Sequence, residues 1–268
     1  MKFPNPFSPI VKTEKLILQV NSLGFIGAIG VMFLDGLLNL LTVYIPAPVK
    51  TPTNIELAFI KILFEVVIAL CIIFLMSKMF AFEDDTKCKS TKITFMDFIF
   101  CACIILGLRF FYIGTINHLT AYMPMPKFIQ DSFNEVSINP IYFLLSVAIL
   151  APLKEEFLYR GLIFNGLCKK YPYGLAITLS SLLFAVAHLN LPQGINAFLI
   201  GIILSYIYYN TKSFYLCLFM HSFNNIFVSL VTLNIPSEFL FIGSATFTFL
   251  GLAFFIFGIK NLKDNFNF

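Results

Sequence analysis

A carboxylate, two imidazoles and a carboxamide occur in the second half of this chain at spacings that could serve one reaction. The stretch Ala151–Gly166, APLKEEFLYRGLIFNG, brings Lys154, Glu155, Glu156 and Arg160 into seven residues of an otherwise apolar run. Phe184 and His188 stand four apart, as do His221 and Asn225, and as do Glu156 and Arg160. On a helix, i,i+4 neighbours share a face, so each pair can point at one place. A carboxylate in a low-dielectric pocket is a stronger base than in water and can take a proton from water near neutrality. A neutral imidazole can orient that water. A second imidazole and a carboxamide can donate hydrogen bonds to the oxyanion formed as a carbonyl becomes tetrahedral. The set suits hydrolysis of a peptide bond. Glu156 then has a separate task, as the partner that keeps a buried Arg160 from standing alone while Glu155 stays available.

The elements that must carry these groups are membrane helices. The chain has 268 residues, is 59% hydrophobic and only 12% charged, and contains 34 phenylalanines and no tryptophan. Soluble domains run nearer 45–50% apolar and about 25% charged. Charge inside such runs is costly, roughly 2.5–3.5 kcal/mol per residue on insertion scales, so it must face protein or a wet cavity and marks a functional site. Apolar runs fall at about 16–45, 57–82, 95–119, 139–168, 174–191, 195–210, 213–234 and 238–259, with prolines, glycines or charge between them. The expectation is an all-α polytopic bundle of about eight helices. The sixth run, being short, is expected to be tilted or only partly embedded. The bundle is read as helices one to three over 1–137, a catalytic core of helices four to seven over 138–235, and a last helix with a short tail over 236–268.

Charge distribution orients the bundle. One side collects Lys2, Lys12, Lys15, Lys78, Lys87, Lys89, Lys92, Lys169, Lys170, Lys212, Lys260 and Lys263; the other has Lys50, Lys61 and Lys127. The positive-inside rule places both termini in the cytosol. At 1.5 Å per residue, Glu155 and His188 lie roughly 20 Å from their cytosolic helix ends and His221 roughly 12 Å. The net charge of +4 is too small and scattered to suggest nucleic acid. The six cysteines form no C-x-x-C pair and read as small buried hydrophobes. The basic, proline-rich start is followed by a run about twice the length of a signal-peptide core, and is read as leading into the first membrane helix.

The E-E-x-x-x-R of Glu155–Arg160, the F-x-x-x-H of Phe184–His188 and the H-x-x-x-N of His221–Asn225 resemble, in order and spacing, the motifs of the CAAX protease and bacteriocin-processing (CPBP, or Abi) family of intramembrane proteases. The resemblance covers roughly residues 138–235, with no departure at a motif position. It implies that Glu155 is the general base, that His188 helps to position water, that His221 and Asn225 stabilise the oxyanion, and that Glu156, Arg160 and Phe184 shape the site. It also implies a membrane-embedded substrate, either a prenylated CAAX-type protein or a leader, bacteriocin or signalling peptide. The compact chain suggests a bacterial plasma-membrane member. Glu155, His188 and His221 could hold zinc in an open three-ligand site, but H-E-x-x-H is absent and a metal-free reaction without cofactor is preferred.

Other readings compete. The same groups could relay protons in a coupled transporter, which predicts sequence repeats and interrupted helices in both halves; Pro152 has no counterpart in the first half. A non-proteolytic immunity or regulatory protein is a third class. Cys217 lies four before His221, but nothing evident other than that histidine would activate its thiol. Ser222 points about 100° away from His221. His118 is read as interfacial, and Asp35, Glu65 and Arg109 as a structural network that neutralises itself.

Overall fold

The computed structural model describes residues 11–12, 20–41, 45, 47–49, 52–80, 92–231, 235 and 237–266. Its helices are α1 Phe25–Leu41, α2 Ile55–Phe80, α3 Phe95–Gly114, α4 Lys127–Val136, α5 Pro140–Cys168, α6 Tyr173–Val186, α7 Leu191–Thr211, α8 Phe214–Leu230 and α9 Leu240–Phe266. Each expected apolar run holds one of them, and α4 is additional. A two-residue ladder joins Val11–Lys12 to Lys92–Ile93. By length and composition α2, α3, α7 and α9 can each cross a membrane, and α4 with α5, bent by 116° at their break, raises the total to five if counted as one span. α1, α6 and α8 are apolar but have only 17, 14 and 17 residues. The expected all-α membrane protein is therefore present, and among the described residues four or five spans are long and apolar enough to cross a membrane.

Several boundaries moved for physical reasons. The sixth run is not short: α7 starts at Leu191 because Pro192 sits in its first turn, where no backbone N–H is required. Asn190 caps it, its Oδ1 accepting from Gln193 N at 3.0 Å. The fifth run, expected to stay helical to 191, stops at Val186. The last helix continues past 259 through a polar segment to Phe266, since hydropathy registers lipid contact and not helix ends.

The chain divides into two compact units, and passes from one to the other within α7. The first comprises Met1–Ile17, Lys87–Pro124 and Tyr206–Phe268. Here α3 and α9 pack backbone to backbone. A Cβ on Gly107 would lie 2.5 Å from Phe255 N, and one on Gly258 would lie 2.6 Å from Phe100 O. Only glycine allows that approach, the usual device of helix packing where lipid supplies no hydrophobic drive. Phe110 fits between Phe247 and Phe254, with ring centroids 5.7 and 5.9 Å away. Asp97 closes the start of α3 by accepting from Thr94 N at 2.7 Å, and takes a bond from Asn265 Nδ2 at 2.9 Å.

The second unit comprises Leu18–Thr86 and Met125–Ser205. Its spine is α5, begun by Asn139, whose Oδ1 accepts from Ile141 N and Tyr142 N at 3.0 Å each, with Pro140 next in line. The helix is not regular. Wider π turns at Ser146–Leu150 and Phe157–Phe164 flank the α-helical Ala151–Glu156. Such widenings disturb the ladder of backbone bonds and recur at functional sites. The Leu23 N–H donates to Gly166 O at 2.9 Å and so ties the approach to α1 onto the end of α5. Glu65 of α2 accepts from the Tyr142 hydroxyl at 2.6 Å.

Candidate active site

Glu156 and Arg160 form a buried pair on α5 that touches the site through Phe184. Both are fully buried, with Arg160 Nη1 donating to Glu156 Oε1 at 2.8 Å. Arg160 Nη2 donates to the Gly201 carbonyl of α7 at 3.3 Å, and α7 comes close because a Cβ on Gly201 would stand only 3.1 Å from Ser181 Cβ of α6. The guanidinium carbon lies 4.9 Å from the Phe184 ring centroid. The opposed charges cancel within a hydrogen-bonded, aromatic-covered cluster, as a buried pair requires.

A cavity of about 270 Å³ lies on the other side of Phe184. α5 gives it Lys154, Glu155 and Tyr159; α6 gives it Phe184, and the turn after α6 gives it His188. Phe184 is central, with its ring 4.9 Å from that of Tyr159 and 5.0 Å, edge to face, from that of His188.

His188 reaches the cavity by a different route from the one its spacing suggests. α6 has ended two residues earlier, and the backbone turns through Leu189, which adopts a left-handed φ of 56°. Few leucines do so. The turn is held by Asn190, whose Nδ2 donates to the His188 carbonyl at 2.8 Å. His188 Nδ1 lies 2.9 Å from Phe184 O. A carbonyl only accepts, so Nδ1 carries the proton and, in the neutral ring, Nε2 is left as an acceptor. That is the tautomer needed to receive a hydrogen bond from water.

The cavity's other wall is α1, which supplies Asp35 and Asn39. Asn39 Nδ2 donates to Asp35 Oδ2 at 3.0 Å and to the Asp35 carbonyl at 2.8 Å, while Asn39 Oδ1 accepts from Lys154 Nζ at 2.6 Å. The structural network expected of Asp35, Glu65 and Arg109 is replaced by separate partners. Asp35 bonds to Asn39, Glu65 to Tyr142, and the Arg109 guanidinium lies 5.2 Å from the Tyr112 ring centroid. Asn39 and Tyr159 were not anticipated, although Asp35 and Asn39 show the same i,i+4 polar spacing as the other pairs.

His221 and Asn225 lie on α8 in the other unit. Ser213 caps that helix by accepting from Leu216 N at 3.1 Å. His221 is buried, and so is Asn224, whose Nδ2 donates to Asn225 Oδ1 at 3.0 Å. This bond turns the oxygen end of Asn225 toward Asn224. Cys217 is a fully buried thiol on the same helix. His118, read as interfacial, pairs through Nε2 with the Ser244 hydroxyl at 2.8 Å. Among the described residues no three His, Cys, Asp or Glu side chains cluster closely enough to hold a metal ion.

A cavity with charged side chains in its wall, among apolar helices, marks a candidate site in a membrane protein. Comparisons with known proteins refine that reading. A family model described as "Type II CAAX prenyl endopeptidase Rce1-like" matches residues 137–227. The "Putative membrane peptidase YdiL" of Bacillus subtilis (strain 168) is 28% identical over 105 residues, covering 39% of this chain and 43% of that one. An "Uncharacterized 24.3 kDa protein" of Escherichia coli is 38% identical over 89 residues, covering 31% of this chain and 41% of that one. The chain thus spans less than half the length of either curated relative. No solved structure matches it significantly. The motif-bearing segment is similar to type II CAAX prenyl endopeptidases, and the chain is an integral, multi-pass membrane protein.

Proposed function

We propose that the chain is an integral-membrane endopeptidase acting on a membrane-associated substrate, either a prenylated CAAX-type protein or a leader, bacteriocin or signalling peptide. The observation that carries this reading is the joint exposure of Glu155 and His188 to one small cavity, while Glu156 is engaged by Arg160. Water in the cavity gives one proton to the Glu155 carboxylate while its other hydrogen points at His188 Nε2, and its oxygen attacks the substrate carbonyl. His221 and Asn225 donate to the oxyanion. As the C–N bond breaks, the proton held by Glu155 passes to the departing amine. An apolar anchor on the substrate favours arrival through lipid, at about 0.8 kcal/mol per buried CH₂. Both termini lie in the cytosol in this reading.

The test is Glu155→Gln beside wild type, reconstituted with a quenched fluorescent peptide ending in a farnesylated CAAX sequence, and in parallel a mass-spectrometric comparison of membrane peptides from cells carrying each form. Loss of a positioned base lowers turnover by about 10²–10⁴-fold. Equal cleavage by the Glu155→Gln variant and the wild-type protein in both assays would sink the proposal.

A further inference from the structure

We propose that the first helix belongs to the catalytic apparatus, with Asn39, anchored by Asp35, as a positioning residue that keeps the Lys154 ammonium away from the neighbouring Glu155. The inference rests on the reading of Glu155 as base, and it concerns two residues of α1 outside the matched segment 137–227.

Lys154 and Glu155 are consecutive in sequence, line the same cavity and are both half-buried. In such a place a flexible ammonium is drawn onto the nearest carboxylate, because little water competes for it. Three N–H donors against Glu155 would occupy the lone pairs that must receive a proton from water. The lysine has another acceptor within reach. Its Nζ donates to Asn39 Oδ1 at 2.6 Å.

Asn39 suits this role because its amide cannot turn over. The NH₂ end is held twice by Asp35, at the side-chain Oδ2 and at the backbone carbonyl. The oxygen end is thereby presented to Lys154. Asp35 and Asn39 are four residues apart on α1, so one helix face carries both anchor and acceptor. The neutral acceptor leaves Lys154 charged, and Lys154 still offsets one of the two cavity carboxylates, Asp35 and Glu155, from a distance. A leucine at 39 removes the acceptor and frees the ammonium to close on Glu155.

The prediction is one of epistasis, which a purely structural role does not produce. Full-length protein in liposomes is treated with dicyclohexylcarbodiimide, which modifies carboxyls in apolar surroundings, and the adduct at Glu155 is quantified by peptide fragmentation. Asn39→Leu is expected to cut labelling of Glu155 at least fivefold. Lys154→Met labels no less than wild type, and Asn39→Leu/Lys154→Met labels like Lys154→Met. Cleavage of the farnesylated peptide falls in Asn39→Leu and returns in the double variant to the level of Lys154→Met. Undiminished labelling in Asn39→Leu, or a double variant no better than Asn39→Leu, overturns the positioning role. Cleavage that survives Glu155→Gln overturns the function itself, whatever the labels show.

Discussion

Arg160→Met isolates the energetics of the buried pair. Methionine keeps most of the arginine's apolar stem in place while removing its charge. Three contacts go with the guanidinium: the 2.8 Å bond to Glu156, the 3.3 Å bond to Gly201 O and the contact with the Phe184 ring at 4.9 Å. What remains is a carboxylate with 0% exposure. Breaking a buried pair from one side costs about 3–5 kcal/mol, chiefly through the charge left behind, whereas removing both partners is often near neutral. Arg160→Met should therefore lower the folded-to-unfolded ratio by roughly two to three and a half decades at 1.4 kcal/mol each. Glu156→Met/Arg160→Met should recover at least about 2 kcal/mol of that loss. Equilibrium unfolding in mixed micelles, wild type beside the two variants, measures both quantities. A loss below about 1 kcal/mol in the single variant, or a double variant less stable than the single, refutes the argument that these charges hold each other.

Two predictions concern elements away from the cavity. Gly251→Leu places a side chain against the Phe111 backbone of α3, so it should cost at least about 1–3 kcal/mol in the same unfolding assay; Gly30→Leu, with nothing within 4 Å of its Cβ position, should cost little, and equal losses would exclude a close α3–α9 packing. α4 carries Phe128, Ile129, Phe133 and Val136 on one face, with no residue buried by protein and a 116° bend into α5. That is the geometry of a helix lying in the membrane interface. The chain has no tryptophan of its own, so Phe133→Trp and Asn134→Trp can be compared cleanly in brominated lipid; the first should be quenched strongly and the second weakly, and equal quenching would remove α4 from the interface.

Hydropathy located the helices because burial in lipid and burial in protein favour the same residues. It failed where helices continue without lipid. The end of α9 runs through Lys260, Lys263 and Asp264, and its closing bond, Asn265 to Asp97, links residues 168 apart. α4 was hidden for the opposite reason. Its length of ten residues and its polar face resemble a connection, and only the recurrence at 128, 129, 133 and 136 betrays a helix. The π turns of α5 left no trace in composition, since they concern which carbonyl each N–H chooses.

The site shows a sharper division. Residues within a motif were legible because short-range spacing on a helix is nearly fixed: Glu156 finds Arg160, and Phe184 finds His188 even though the helix between them has frayed into a turn. Partners joined by tertiary structure were not. Asp35 is an intramembrane carboxylate in a chain with several, and by sequence Glu65 and Arg109 are equally eligible companions. Sequence spacing cannot tell which helix faces which, so a charge-balance argument picked the wrong set. Asp35, Asn39 and Lys154 are joined across 115 residues between the asparagine and the lysine, a separation no local rule spans. Yet the pairing obeys the same physics that flagged the motifs, because a polar group at that depth must find a partner. Asp35 and Asn39 form an i,i+4 polar pair on an apolar helix and so carried the mark of a site contributor; what was missing was the face of α5 that completes it.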